Sequence, residues 1–164
     1  APRGGLTLNQ ALADEKLVRA RFSAHNGQRF DGEENPMKLL NRSALSVRPT
    51  QTFVDWINAL EPTMGDDDLT LDDVERESTV YLIPEMDTPE ALETFVRERH
   101  VEILETELRA WEEDERQWPE KLDWSLFQEF LRVEHSYLAI DLDDETALEI
   151  SDVDDALLLD NEQD

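Results

Sequence analysis

Between residues 86 and 114 the chain reads MDTPEALETFVRERHVEILETELRAWEED, and its apolar side chains recur there at helical steps. Leu92, Phe95, Val96, Ile103, Leu104, Leu108 and Trp111 trace one stripe on an otherwise charged surface. Thr88 is placed to cap the helix, Pro89 suits its first position and Glu90 suits its positive end. A long helix with one apolar stripe needs a second layer to cover it.

The remaining apolar runs supply that layer. SALSVRP (43–49) alternates Ala44, Ser46 and Arg48 against Leu45 and Val47, which predicts a strand ended by Pro49. STVYLIP (78–84) is β-branched and apolar without alternation, which predicts a strand buried on both faces. SYLAIDL (136–142) is a third strand candidate, and ALEIS (147–151) a fourth, forming a hairpin with it across DDET. Thr50 predicts the cap of a helix over QTFVDWINAL (51–60), with Phe53, Trp56, Ile57 and Leu60 on one face. Ser125 and Gln128 have capping-box spacing and open a helix through LFQEFLRVE (126–134), with Phe127, Phe130 and Leu131 inward.

Trp118 precedes Pro119 and so avoids helical dihedrals, which predicts a corner between two helices, with Trp124 anchoring entry to the second. Residues 61–77 hold eight acids against Arg76 alone, with a proline and a glycine, and read as an exposed loop. DVDDALLLD (152–160) and Leu8 to Arg21 are short helix candidates. The expected class is α+β in the order β-α-β-α-α-β(-β): a small mixed β-sheet of three or four strands with helices packed on one face.

Charge then limits function. Fifteen Lys and Arg face forty-one Asp and Glu, a net charge of −26 over 164 residues, with 39% hydrophobic residues and 34% charged. Residues 1–36 carry five cations and five acids and so balance, leaving the whole excess on the rest. Four of the five glycines also lie before position 37, and DGEENP (31–36) reads as a linker. We therefore expect 1–36 to be an appended N-terminal segment and 37–164 a single acidic α+β domain with an acidic tail. Bulk charge of this sign opposes binding to a nucleic-acid backbone or an anionic membrane and favours basic surfaces. Lysine is confined to Lys16, Lys38 and Lys121; arginine use with abundant acid is also what a GC-rich or salt-tolerant source produces.

Other chemistries find little footing. With no cysteine there is no thiol nucleophile, disulfide or Cys-type zinc site, and a cytoplasmic location is expected. No run of eighteen apolar residues occurs. His100 and His135 are preceded at Glu-x-x-His spacing by Arg97 and Arg132, so the di-iron motif is missing. His25 lies in the N-terminal segment. A calcium loop begun at Asp141 has Thr146 at position six and Asp152 at position twelve, where glycine and glutamate belong. One begun at Asp66 has Leu71 at position six. Gly65 is the sole glycine after Met37, so no phosphate-binding loop forms. Glu98, Glu102 and Glu105 share a helix face, where a metal site competes with a solvated acidic surface. Arg48, at a strand end beside a helix start, either receives an anion or pairs with an acid.

LNRSALSVRPTQTFVDWINAL (40–60), STVYLIPE (78–85) and WPEKLDWSLFQEFLRVEHSYLAIDL (118–142) resemble, in order and spacing, a group of small acidic cytosolic bacterial proteins. The resemblance implies a native start at Met37 and brings no activity, cofactor or catalytic residue with it.

The function expected from these residues is a non-enzymatic domain that binds a basic protein and uses no cofactor. Its contact surface is expected at Asp66, Asp67, Asp68, Asp72 and Asp73, and at Asp141, Asp143, Asp144, Asp152, Asp154 and Asp155. A nucleic-acid-mimicking inhibitor of a DNA- or RNA-binding protein is a special case, and a small carboxylate- or metal-dependent enzyme is the alternative from another class.

Overall fold

The computed structural model describes residues 37–61 and 67–152. Its elements, in chain order, are strands Lys38–Leu39 (β1) and Ser43–Pro49 (β2), helices Gln51–Leu60 (α1) and Leu71–Glu75 (α2), and strand Thr79–Ile83 (β3). Helix Pro89–Arg109 (α3), a 3-10 turn Glu115–Gln117, helix Trp124–Phe130 (α4) and strands Leu131–Ser136 (β4) and Ile140–Asp141 (β5) follow. The fold is α+β. The three-stranded sheet has the order β3-β2-β4, and β1 pairs separately with β5. Every pairing among the described residues is antiparallel, where a mixed sheet was expected.

Strand β2 is the axis of the molecule. Ser43, Leu45, Val47 and Pro49 are buried on its inner face, while Ala44, Ser46 and Arg48 lie on the other. Its neighbours follow the same two-residue period. Tyr81 of β3 and His135 of β4 flank Leu45, and Thr79 and Val133 flank Val47. Against this inner face pack Phe53, Val54 and Ile57 of α1, the buried stripe of α3 and Phe127 and Phe130 of α4. Phe53 lies parallel to Trp56 at 5.6 Å and tilted against Phe130 at 5.3 Å, so two helices meet through aromatic rings.

The caps expected for α1 and α3 form: Thr50 and Thr88 accept from the amides of Phe53 and Ala91. The α3 stripe is buried at Val96, Ile103, Leu104 and Leu108 and half-buried at Leu92, Phe95 and Trp111. Trp118 is extended, as its proline demands, and its Nε1–H donates to the Glu112 carbonyl at 2.8 Å, closing the corner after α3. Arg109 lies over the same indole.

Several expectations are corrected. Of the exposed loop expected over 61–77, residues 62–66 lie outside the described residues and the remainder contains α2, held by a reciprocal capping box between Thr70 and Asp73. Its Val74 enters the core, and Asn58 clamps the approach: its amide donates to the Leu69 carbonyl and accepts from the Leu69 amide, both at 2.9 Å. Strand β3 is not buried on both faces; Val80 and Leu82 are 59% and 51% exposed. Helix α4 is capped by Asp123, which accepts from Leu126 N–H at 2.9 Å, while Ser125 bonds Glu129 instead. It ends at Phe130, and residues expected to continue it become β4. The candidate strand 136–142 shrinks to β5, and residues 147–151 form no strand. The candidate helix at 8–21, and all but the first residue of the candidate helix at 152–160, lie outside the described residues.

Tertiary contact explains the early end of α4. Thr50 N–H donates to the Phe130 carbonyl at 2.9 Å, and the Thr50 hydroxyl donates to the carbonyls of Glu129 and Phe130. Carbonyls left without partners at a helix end are thereby satisfied from the neighbouring strand end. Beyond Phe130, Leu131, Val133 and His135 alternate inward against Arg132, Glu134 and Ser136, a strand period. One residue thus starts α1 and finishes α4. Thr50→Val removes the acceptor for Phe53 and the hydroxyl donor together, and should destabilise the fold by about 1–2 kcal/mol. Thr50→Ser should lose only a small part of that, as read from urea unfolding midpoints.

Candidate interaction surface and a buried carboxyl beneath it

The acidic residues singled out in the sequence are placed at two separate ends of the sheet. Asp72 and Asp73 lie in the first turn of α2, whose last residue, Glu75, meets Arg132 at 3.4 Å near the Pro49 end of β2. Asp141 pairs with Lys38, beyond the Ser43 end of β2. The seven residues of β2 separate these ends by roughly 20 Å. Asp67 and Asp68 are exposed just ahead of the clamped Leu69, and Asp144 and Asp152 are exposed after β5. Asp66, Asp154 and Asp155 lie outside the described residues.

Half-hidden local roles divide this set further. Asp73 accepts from both the amide and the hydroxyl of Thr70, and these bonds hold its carboxyl below the usual carboxylate range. Asp143 accepts from the amides of Glu145 and Thr146 at 2.9 and 3.0 Å and is lowered for the same reason. Asp141 accepts from Asp143 N–H at 2.9 Å. These three carboxylates shape the backbone that presents the rest. Asp67, Asp68, Asp72, Asp144 and Asp152 form the outward-facing part of the expected contact surface.

Most described arginines are taken up within the chain. Arg97 pairs with Glu93, Arg99 with Glu102, Arg109 with Glu115 and Arg116 with Asp114. On the open face of the sheet Arg48 and Arg132 stand directly opposite each other, a like-charge pair. Glu134 lies 3.6 Å from Arg48 and 3.8 Å from Arg132, and Glu75 reaches Arg132, which offsets the repulsion. Arg48 therefore pairs with an acid of its own chain. Among the described residues, no three His, Asp or Glu side chains converge into a metal-binding group. His100 instead packs edge-on against Trp124 and Phe127.

Sequence reasoning missed a buried carboxyl whose ionisation is perturbed. Glu107 sits within the apolar stripe of α3, between Leu104 and Leu108, and is only 6% exposed. Tyr81 of β3 donates its hydroxyl to Glu107 Oε1 at 2.7 Å. Burial pushes the Glu107 carboxyl up, and hydrogen bonds from Tyr81 and Thr79 oppose the shift without cancelling it. Burial and the adjoining carboxyl push the Tyr81 phenol up as well, so it remains a donor. The signal was available: a glutamate in a helical stripe of leucines needs a donor from the facing layer. One helical turn further on, Ala110 and Trp111 line a shallow recess of about 250 Å³ with Glu77. The bond ties the edge strand β3 to the longest helix.

No family model, curated protein or solved structure matches the chain.

A raised carboxyl pKa has a definite sign. The folded state holds the Glu107 proton more tightly than the unfolded state, so this group favours folding below its ordinary value of 4.5. That contribution is lost as pH rises through the raised folded pKa. Glu107→Gln keeps an oxygen for the Tyr81 hydroxyl and has no proton to release. Relative to the parent, this variant should gain stability as pH goes from 4.5 towards neutral, which urea titrations at several pH values would show.

Proposed function

We propose that the protein is a non-enzymatic interaction domain whose exposed carboxylates bind a basic protein partner. The observation that carries this reading is the division of charge: arginines on α3, the following turn and the sheet are engaged by acids of the same chain, while Asp67, Asp72, Asp144 and Asp152 face solvent. Each acidic end also holds a cation, Arg76 near Asp73 and Lys38 near Asp143, but the acids outnumber it. Long-range attraction of this kind speeds encounter and fades as salt shortens its reach. The two acidic ends of the sheet are too far apart for one small ligand and suit a protein-sized partner. We place the protein in the cytoplasm on its cysteine-free composition.

The test is capture by the full chain from a lysate of its source, washed through increasing salt beside an unrelated bait of equal acidity. One basic protein should be enriched over that control at one-to-one stoichiometry and released by added salt. Asp67→Asn, Asp72→Asn and Asp144→Asn combined should weaken that capture about tenfold and leave the unfolding midpoint nearly unchanged. Equal capture by both baits, or retention indifferent to salt, would exclude the reading.

A further inference from the structure

The three-stranded sheet treats its two edges differently. Strand β4 carries Arg132 and Glu134 facing outward, and alternating charge of this kind guards an edge against further pairing. Strand β3, Thr79–Ile83, carries no charge and no internal proline. Among the described residues its ladder partner is β2 alone. Val80 and Leu82 stand on the open face beside Ala44 and Ser46, two small side chains of β2 that leave them uncovered. The edge is also held in place from beneath, because Tyr81 is bonded to Glu107 of α3. A strand so fixed loses little further freedom when another strand joins it.

Charge selects the occupant. Exposed Glu77 precedes the uncharged edge, and exposed Glu85 and Asp87 follow it. A second copy joining antiparallel would set Glu77 of one chain against Glu85 of the other, and a parallel copy would set each acid against itself. Both arrangements place like charges together on chains of net charge −26. A strand with apolar side chains at alternate positions and Lys or Arg at both ends fits instead: its centre covers Val80 and Leu82, and its ends meet the acids. We propose that the basic partner is engaged in this way, as an extended segment that adds to the β3 edge by main-chain hydrogen bonds. The inference rests on the basic-partner reading above and specifies its form.

The experiment uses the full chain and a seven-residue synthetic peptide with paired lysines flanking Val-Thr-Val, blocked at both termini. A second peptide of the same sequence carries backbone N-methyl groups on alternate residues, which preserves charge and removes donors. The first peptide should slow amide exchange within β3 and leave β4 unchanged, and the second should bind at least tenfold more weakly. Val80→Lys and Leu82→Lys, both on the open face, should each weaken the first peptide about tenfold while the chain keeps its unfolding midpoint. Equal binding of both peptides would overturn strand addition yet leave attraction to basic partners standing. No binding of the first peptide, or β3 amides already protected in a dimer of the free chain, would also overturn it.

Discussion

Thr50 is the point on which the rest of the structure depends. It follows the last residue of β2, caps α1, and supplies donors to the final carbonyls of α4. The register between β2 and β4, with Pro49 opposite Leu131, is a consequence, because α4 can release the chain into β4 only where Thr50 meets it. Once that register is set, the two-residue period turns Leu131 and Val133 inward and Arg132 and Glu134 outward. The aromatic contact between Phe53 and Phe130 lies beside the same junction. Two helices and two strands therefore share a corner, and a short chain with few apolar residues obtains a continuous core from it.

What could be read from the sequence follows from whether the signal was local. The caps of α1 and α3 lie within four residues of what they cap, and both were foreseen. The alternation of β2 was visible, since Leu45 and Val47 face a core and Ser46 and Arg48 do not. The end of α4 was not visible, because its cause lies eighty residues earlier in the chain, at Thr50. Phe127, Phe130 and Leu131 read as one helical face, although Leu131 already belongs to the strand. The capping box Thr70-x-x-Asp73 was present, but the surrounding acids masked it as a loop. The exposure of Val80 and Leu82 depends on how many layers flank the sheet, and no local pattern states that.

The candidate surface was readable only in part. Composition pointed to the acids, and several do face solvent, but the structure separates them by the length of β2 and gives Asp73, Asp141 and Asp143 to local turns. The buried acid is the reverse case. Glu107 looked like one more charge on α3, and it is the group that couples the edge strand to the helical layer. Net charge alone cannot distinguish a carboxylate that receives a partner from one that braces the fold, because the difference lies in what donates to it.

The amide pair between Asn58 and Leu69 has a consequence for how α2 is held. It closes the stem between α1 and α2 with two hydrogen bonds, in the manner of a single rung of a ladder, before the chain reaches Val74. The start of α2 is thereby fixed to the last turns of α1 at Leu69, two residues before the helix begins. A single side chain, Asn58, thus stands in for a strand, giving α2 a main-chain anchor in a region that has no sheet to offer one.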